Sequence, residues 1–580
     1  MPSPSKPDIS VKDKHDAVLV ARRHNAHIPI ARLPADALTL IFGFAASSNP
    51  LIGLVRVGRR AFQPPEQHAT VLRWMAITHV CSFWRSVALE DSRLWSEVPS
   101  RLRTSSTEEI LRRNGQRGGL VYEYVDVIPS DPRRAQRADL LERSLSLVED
   151  LRMHLEGSAT DFARVFGSAA PQLRALHVYT DITEMRRRYQ LIWPDRLFAG
   201  QAPLLRTVDL RVLKYHSLVP DFLSSIHDFL HCLTTLVVDI GPHDFYDFPS
   251  LHAALSRSRN LVNLVINGSF PRLSMSPFHS ELGSLDFPHL KACRIEGPIQ
   301  DTGTLVAMMQ IPETCRLGIR CSTDSYLQTR AYPLSQALSE RFARVRTLEI
   351  AGRSMPHLHN SIAGWRASSA QLLTEDYAPV SPLDGHRRPR LLPDIELSFD
   401  VDPTNNDPFT FSRLLQHLSP SFSGVENMSF RISDNNTSLR EIFIQNPRWS
   451  DIGATFQSLR WLRADRGVAE SILHRRSEAK DADFVLPASL QHLALIGVQW
   501  HTEITSDEYR HQERSLRRLL QTDEDTTGAI RPSGATRSVT IGGDAGGPHE
   551  MLPLGMPDIP FMVVRTVGEE NWSEDDIFDV

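Results

Sequence analysis

The segment Leu261-Val262-Asn263-Leu264-Val265-Ile266 shows the apolar pattern from which the fold of this 580-residue chain is predicted. Apolar residues occupy its first, fourth and sixth positions. In an extended strand the fourth and sixth side chains point to the same face of a sheet. The pattern recurs along most of the chain, more loosely in its second half, which indicates repeated units of one type. Its copies, given by their first, fourth and sixth positions, are Leu173/Leu176/Val178, Leu205/Val208/Leu210, Leu233/Leu236/Val238, Leu261/Leu264/Ile266, Leu290/Cys293/Ile295, Thr314/Leu317/Ile319, Val345/Leu348/Ile350, Leu392/Ile395/Leu397, Val425/Met428/Phe430, Leu459/Leu462/Ala464 and Leu490/Leu493/Leu495.

The spacing of these copies is regular, with one interruption. Subtracting successive first positions gives intervals between 24 and 34 residues, except for 47 residues between Val345 and Leu392. The extra length, between Ile350 and Leu392, contains Trp365, Pro379 and Pro382. We interpret it as an inserted loop, the kind of segment on which functional sites are often found.

Helical stripes of apolar residues precede several copies. One such stripe is Leu334, Ala337, Leu338 and Phe342, which comes directly before Val345. A helix between two strands predicts parallel pairing, because parallel strands need a long crossover connection. Since a single unit cannot bury its apolar face alone, neighbouring units are expected to stack into a solenoid.

The N-terminal region has a different, purely helical pattern. Leu38, Ile41, Phe42 and Ala45 fall at helical spacing, and Pro34 lies where the first turn of a helix tolerates proline. A second stripe predicts another helix of about three turns. It consists of Ile77, Val80, Cys81, Trp84, Val87 and Ala88. Helices this short are unstable alone and must pack together or against a partner.

These two stripes, with the Leu33-Pro34 start, the Val80-Cys81-x-x-Trp84-Arg85 segment and Leu94-Trp95, resemble an F-box in the form common among fungal F-box proteins. The resemblance implies a three-helix module that docks a Skp-type adaptor and, through it, a cullin scaffold. The residues expected to bind the adaptor are Leu33, Pro34, Leu38, Ile41, Phe42, Val80, Cys81 and Trp84. The same residues could instead form the core of the module, or of an ordinary helical hairpin. A departure from the family pattern is a long insertion at about residues 47–73.

The repeat region resembles the leucine-rich-repeat domains that commonly follow an F-box. The family's asparagine position, three residues after the third apolar position, is occupied in the first five copies by Asp181, Leu213, Gly241, Ser269 and Pro298. The solenoid is therefore expected to be irregular, and a plain α/β domain is the alternative. The expected fold class is α/β, with a three-helix F-box followed by an irregular leucine-rich-repeat-like solenoid of alternating helices and parallel strands.

The predicted organisation has four parts. Residues 1–30 are expected to be disordered, 31–99 to form the F-box with its insertion, 105–500 the repeat domain, and 501–580 a helix, a flexible linker and an acidic tail. The tail carries six acidic groups around Trp572, Ile577 and Phe578. Such a segment usually keeps a protein solvated, although it can also fold onto a basic partner.

Composition excludes several classes of function. With 41% hydrophobic and 23% charged residues the chain has an ordinary globular composition, and a net charge of −5 gives no electrostatic basis for nucleic-acid binding. Five scattered cysteines argue against a disulfide framework. We find neither a signal-peptide pattern nor an unbroken apolar span, so no membrane role is expected. These features predict a cytoplasmic or nuclear protein.

No catalytic signature is present in the sequence. It contains no phosphate-binding loop of the Gly-x-x-x-x-Gly-Lys-Ser/Thr type and no Gly-x-Ser-x-Gly nucleophile motif. Cys315 and Cys321 alternate with apolar residues on one predicted strand face, where free cysteine acts as a small hydrophobic residue. We therefore expect no enzyme activity, no metal and no cofactor. The expected function is that of the substrate receptor of a ubiquitin ligase for an unidentified protein target. The alternative is a repeat-domain scaffold that binds partners without directing ubiquitin transfer.

Overall fold

The structure is a computed structural model. It describes residues 19–20, 33–48, 74–99, 102–115, 117, 119–126, 133–155, 162–181, 193–213, 218–240, 248–268, 282–322, 332–353, 358–368, 393–401, 417–432, 456–465, 468, 489–496, 538–543 and 566–568. The chain divides into two compact units, Met1–His243 and Asp244–Val580. This division falls inside the predicted repeat region. Apart from residues 19 and 20, which are helical, the predicted disordered N-terminus lies outside the described residues.

Unit 1 begins with short helices. Helix α1 is Ala35–Ser48 and helix α2 is Ser82–Glu90, with the 3₁₀ helices Trp74–His79 and Ser92–Trp95 on either side of α2. Helix α1 continues through Ser48, two residues into the predicted insertion, and the Ser47 hydroxyl donates to the Gly43 carbonyl at 2.8 Å. The remainder of the insertion, residues 49–73, lies outside the described residues.

The prediction of one continuous second helix is wrong. The chain leaves the 3₁₀ helix at Val80, and Cys81 is extended, with φ −156° and ψ 170°. Helix α2 starts only at Ser82, with Cys81 as its N-cap. The stripe from Ile77 to Ala88 is therefore shared between two helical segments. Cys81 therefore does not lie on a continuous apolar helix face. Its thiol caps α2 instead, by accepting a hydrogen bond from the first turn of that helix.

In the described part of unit 1 the sheet has six strands in chain order, and each described pairing between neighbours is parallel. The strands are β1 Glu97–Pro99, β2 Leu120–Asp126, β3 Val148–Leu155, β4 Ala175–Asp181, β5 Thr207–Leu213 and β6 Thr235–Ile240. The longer helices between them are α3 Thr104–Asn114, α4 Arg134–Ser144, α5 Phe162–Gly167 and α6 Leu218–Ser225. The predicted alternation of helices and parallel strands is confirmed in this unit.

The core of unit 1 is formed by the fourth and sixth positions of each repeat. Leu176 of β4 aligns with Val208 of β5, and Val208 aligns with Leu236 of β6. All three side chains are fully buried. Larger side chains fill the space between sheet and helices, as in the edge-on contact of Tyr124 and Phe162, whose ring centroids lie 5.0 Å apart. The apolar period read from the sequence therefore marks the buried side of the sheet.

Among its described residues, unit 2 contains the remaining strands and three longer helices. The helices are α7 Phe248–Arg257, α8 Ile299–Met308 and α9 Tyr332–Phe342. The strands are β7 Asn263–Gly268, β8 Leu285–Asp286, β9 Ala292–Pro298, β10 Met309–Gln310, β11 Arg316–Ser322, β12 Thr347–Arg353, β13 Leu358–Trp365, β14 Ile395–Val401, β15 Asn427–Ile432, β16 Trp461–Asp465, β17 His492–Ile496, β18 Ser538–Gly543 and β19 Thr566–Gly568. Strands β8 and β10 form a small parallel pair of their own.

The main sheet of unit 2 is parallel except at one place. Its order is β7-β9-β11-β14-β13-β12-β15-β16-β17-β18-β19. Strand β13 runs antiparallel to both β12 and β14, so two additional strands separate β11 from β12. The inserted loop predicted between Ile350 and Leu392 is therefore wrong for residues 358–365. That segment can form a central strand because apolar and small residues cover both of its faces, for example Ile362, Ala363 and Gly364.

Repeated strands also continue beyond residue 500. Strand β18 pairs with β17 in parallel, and β19 pairs with β18. The flexible linker predicted for this part is wrong for residues 538–543. Composition rich in glycine and threonine obscured the run Ser538-Val539-Thr540-Ile541, whose β-branched residues favour a strand. The helix predicted at the start of residues 501–580 and most of the predicted acidic tail lie outside the described residues.

Candidate functional site

The N-terminal helices of unit 1 pack around an aromatic core. Leu38 and Phe42 of α1 are fully buried, and Trp84 of α2 is 8% exposed. The rings of Phe42 and Trp84 have centroids 5.2 Å apart at an angle of 60°, a tilted contact of the kind that aromatic pairs prefer. This ring contact holds the two helices together.

A second aromatic pair fixes these helices to the following part of unit 1. Trp74 and Trp95 meet edge to face, with centroids 5.3 Å apart. The indole N–H of Trp95 donates to the carbonyl of Ala88 at 2.9 Å. The Arg113 guanidinium, on α3, lies 4.3 Å from the centre of the Trp95 ring, a favourable cation–π distance. The ring of Trp95 is therefore packed against Trp74 and Arg113, and its N–H group is hydrogen-bonded.

Apolar side chains on the other side of these helices face solvent. Leu40 is 64% exposed and Phe44 is 74% exposed, on the side of α1 opposite to Leu38 and Phe42. Ile41, Val80 and Phe83 are 42%, 53% and 43% exposed. Among the described residues, the other exposed large apolar side chains are Leu19 and Val20. We call Leu40, Ile41, Phe44, Val80 and Phe83 the exposed apolar set.

The eight predicted adaptor-binding residues divide into two groups. Leu38, Phe42 and Trp84 are buried and form the core. Outside the core, Ile41, Val80 and Pro34 are exposed, whereas Leu33 and Cys81 are half-buried. Cys81 caps α2, and its Sγ accepts from the Trp84 N–H at 3.4 Å.

Sequence reasoning missed three members of the exposed apolar set, Leu40, Phe44 and Phe83. A signal was present, because these residues are apolar but lie off the stripe that forms the core. A helix that is apolar on more than one face must be covered on more than one side. Solvent-facing apolar residues gathered on one small module indicate a surface for a partner.

A second candidate surface is the polar face of the unit 1 sheet. Its residues alternate with the core positions along β3, β4 and β5, so they point away from the core. Arg152, His177 and Asp209 lie side by side in one row across these strands. The next row consists of His154, Tyr179 and Arg211. The sequence analysis did not single out these residues, although the alternation in each strand marks them.

Asp209 lies at the centre of this polar face. It accepts hydrogen bonds from Arg211 Nε at 2.9 Å and from the Tyr179 hydroxyl at 3.3 Å, and its Oδ2 lies 3.5 Å from His177 Nδ1. Burial alone would raise the pKa of the Asp209 carboxyl, but the neighbouring His177 and Arg211 outweigh burial and hold that pKa below its usual value. The other ring nitrogen of His177 lies 3.6 Å from Asp150.

Planar groups stack around Tyr179. The His154 ring lies 4.9 Å from the Tyr179 ring at 19°, and the His177 ring lies 6.3 Å away at 14°. The Arg211 guanidinium is 5.8 Å from the ring centre. Burial, followed by the charge of Asp209, raises the pKa of the Tyr179 hydroxyl, which therefore stays protonated as a donor near neutral pH. The result is an ordered surface of donors and acceptors.

Other sequence-predicted features have plain structural roles or lie outside the described residues. Leu317, Ile319 and Cys321 share the buried face of β11, and Cys315 is buried just before it, as predicted. Burial raises the pKa of the Cys315 thiol to about 11. Among the described residues, no three His, Cys, Asp or Glu side chains are grouped to hold a metal. Nor does any described helix have the length and apolarity to cross a bilayer. No protein-family model and no curated protein matches this chain.

Proposed function

We propose that this chain is a substrate receptor of a Skp–cullin–F-box-type ubiquitin ligase. In this proposal the N-terminal helices dock the Skp-type adaptor, and through it a cullin scaffold. The repeated strand–helix units, an irregular leucine-rich-repeat-like solenoid, recruit a protein target. The chain has no catalytic role of its own. It holds the target close to the ubiquitin-conjugating enzyme and raises the effective concentration of the reacting groups.

The observation that carries the proposal is the exposed apolar set. Five large apolar side chains, each at least 42% exposed, lie on α1, at the start of α2 and in the turn just before α2. Leaving such side chains in water forgoes about 1.5–3 kcal/mol for each one that could be fully buried. A partner that covers α1 and α2 recovers part of this free energy. The resemblance of these helices to an F-box favours a Skp-type adaptor as that partner.

The core of the module supports this assignment of roles. Because Leu38, Phe42 and Trp84 hold the helices together, they position the exposed apolar set without having to contact the adaptor themselves. The Trp95 contacts with Ala88 and Arg113 attach the helices to the rest of unit 1.

Co-purification with the Skp-type adaptor of the same organism tests the docking step. We expect the intact chain to retain the adaptor and the double variant Leu40→Ala/Phe44→Ala to lose it. Truncating a central interface aromatic residue costs about 2 kcal/mol or more of binding, roughly a thirtyfold rise in Kd. Ser47→Ala, at an exposed site on the same helix, is the matched control and should bind like the intact chain. Failure of the intact chain to bind the adaptor would refute the proposal.

Ubiquitin transfer separates the receptor from the scaffold. The intact chain would be reconstituted with adaptor, cullin, conjugating enzyme and a cell extract, and ubiquitinated proteins that depend on the chain would be identified. A receptor yields such proteins with the intact chain but not with Leu40→Ala/Phe44→Ala. A chain that binds the adaptor but yields none acts as a scaffold.

A further inference from the structure

Four cationic side chains gather at the edge of the unit 2 sheet where strands β7, β9 and β11 begin. Asn263 of β7 aligns with Ala292 of β9, and Ala292 aligns with Arg316, the first residue of β11. Because the three strands are parallel, the segments that lead into them meet at one edge. The exposed cations of this edge, which we call the basic edge, are Arg257 at the end of α7, Arg259 before β7, Lys291 before β9, and Arg316.

The cations of the basic edge are not neutralised. Within the part of the chain that the structure describes, none of the four side chains makes an ion pair or a hydrogen bond. The described segments that lead into these three strands carry two exposed carboxylates, Asp286 and Glu313. Glu313, 67% exposed, is paired with Arg344, whereas Asp286 has no ion pair with a described residue. Four free cations therefore face one free carboxylate, so the basic edge holds a surplus of positive charge.

The charges beside the basic edge, where β14, β13, β12 and β15 follow β11, are balanced instead. Arg366 Nη2 lies 2.7 Å from Asp394 Oδ1, and Arg346 Nη1 lies 3.8 Å from Glu426. Burial alone would raise the pKa of Asp394, but Arg366, with a smaller contribution from Arg316, holds that pKa below its usual value. The unbalanced charge is therefore concentrated where β7, β9 and β11 begin.

Arg341 of α9 holds the segment that leads to Arg316. Its Nη2 donates to the carbonyl of Ile311 at 2.6 Å and to that of Pro312 at 3.1 Å. Burial lowers the pKa of this guanidinium, which nevertheless stays charged near neutral pH. No carboxylate of the described residues forms an ion pair with it. Its charge therefore adds to the positive potential of the basic edge.

We infer that the basic edge binds an acidic segment of a partner protein, in which several Asp or Glu residues lie close together along an extended chain. The cations stand on three neighbouring units, whose strand backbones are about 5 Å apart, rather than around one point. Such a row suits carboxylates spread along a chain, since alternate side chains of an extended peptide are about 7 Å apart. A single phosphate group instead needs donors that converge on it. The inference rests on the proposed function only in identifying the partner protein as the target.

Fluorescence anisotropy of the full-length chain with labelled ten-residue peptides tests the inference. One peptide alternates glycine with glutamate, a second alternates glycine with glutamine, and a third is the glutamine peptide with one central phosphoserine. We expect the glutamate peptide to bind most tightly and its Kd to rise as salt is added. Equal or tighter binding of the glutamine or the phosphoserine peptide would overturn the inference. Equal or tighter binding of a single-stranded DNA with the same number of charges would overturn it in favour of a nucleic acid.

Variants assign the binding to the basic edge. Lys291→Gln and Arg316→Gln should each raise the Kd of the glutamate peptide by about two- to fivefold, and the double variant by about tenfold, because each exposed ion pair contributes little. Arg112→Gln/Arg143→Gln is the matched control, since it removes the same charge from unit 1, from side chains that are 70% and 68% exposed. An equal loss of binding in this control would show non-specific attraction and overturn the assignment.

A charge reversal separates recognition from loss of structure. Lys291→Glu/Arg316→Glu should bind a glycine–lysine peptide more tightly than the glutamate peptide. Hydrogen exchange of β9 and β11 should stay as in the intact chain, because both side chains are exposed. A folded variant that still prefers the glutamate peptide would refute the assignment to these two residues.

Adaptor co-purification, measured on the same proteins, keeps this inference separate from the proposed function. Peptide binding without adaptor binding would retain the inference and refute the proposed function. Adaptor binding without peptide binding would do the opposite.

Discussion

The sharpest prediction compares two identical substitutions on one helix. Phe42 and Phe44 are two residues apart on α1, yet Phe42 is fully buried against Trp84 and Phe44 is 74% exposed. Phe42→Ala removes a ring from a packed core and leaves a cavity, so we expect it to destabilise the module by about 3–5 kcal/mol. Phe44→Ala removes a ring from solvent and should change stability by no more than about 0.5 kcal/mol.

Hydrogen exchange read by mass spectrometry measures these effects locally, which suits a chain of more than one unit. Since 1.4 kcal/mol corresponds to a factor of ten, Phe42→Ala should accelerate exchange of the peptides covering α1 and α2 by roughly two to four orders of magnitude, or to the unprotected limit. Phe44→Ala should leave the same peptides unchanged and should instead weaken adaptor binding. Equal exchange in the two variants would refute the division of α1 into a core face and a contact face.

Three further predictions test other parts of the molecule. Gly364→Ala should destabilise unit 2 by about 1–3 kcal/mol, measured by exchange of residues 358–365, because a Cβ there would lie 2.8 Å from Val345 Cγ2. Gly318→Ala is the control, because a Cβ there would lie 3.9 Å from the nearest atoms. Equal protection of residues 358–365 in the two variants would contradict the position of β13. The pKa of Asp209 is lowered in the folded state, so its stabilising effect is present above its ordinary pKa of about 3.9 and is lost as pH falls further. The stability difference between the intact chain and Asp209→Asn, read from thermal unfolding, should therefore shrink between about pH 5 and pH 2, and a constant difference would contradict this. A thiol reagent should label two cysteines rapidly in the folded chain and three only after unfolding, and rapid labelling of all five would contradict their burial. The three buried cysteines are Cys293, Cys315 and Cys321.

Much of the sheet could be predicted from the sequence. Every copy of the apolar pattern seen in Leu261-Val262-Asn263-Leu264-Val265-Ile266 coincides with a strand, from β4 to β17. The helical stripe before Val345 forms α9 as expected. These predictions succeed because a strand with one face in a core needs apolar residues at every second position, and that requirement is written into the sequence itself.

Strand β13 could not be predicted in the same way. Its sequence, with Asn360, Ser361 and Gly364, lacks the apolar alternation of the other strands. It is a strand because β12 and β14 on either side supply partners for its backbone groups. Backbone pairing of that kind depends on the neighbouring strands and leaves no periodic signal in the segment itself.

Local periodicity in the sequence is enough to predict that this chain repeats a strand–helix unit and begins with short apolar helices. The division of α1 into residues that face the core and residues that face solvent follows only from the folded arrangement of the helices. Leu38 and Leu40 are the same residue type in the same helix, yet Leu38 is buried and Leu40 is 64% exposed. By residue type, both leucines would suit a core. Which of them is buried depends on the side of α1 against which α2 and its Trp84 pack.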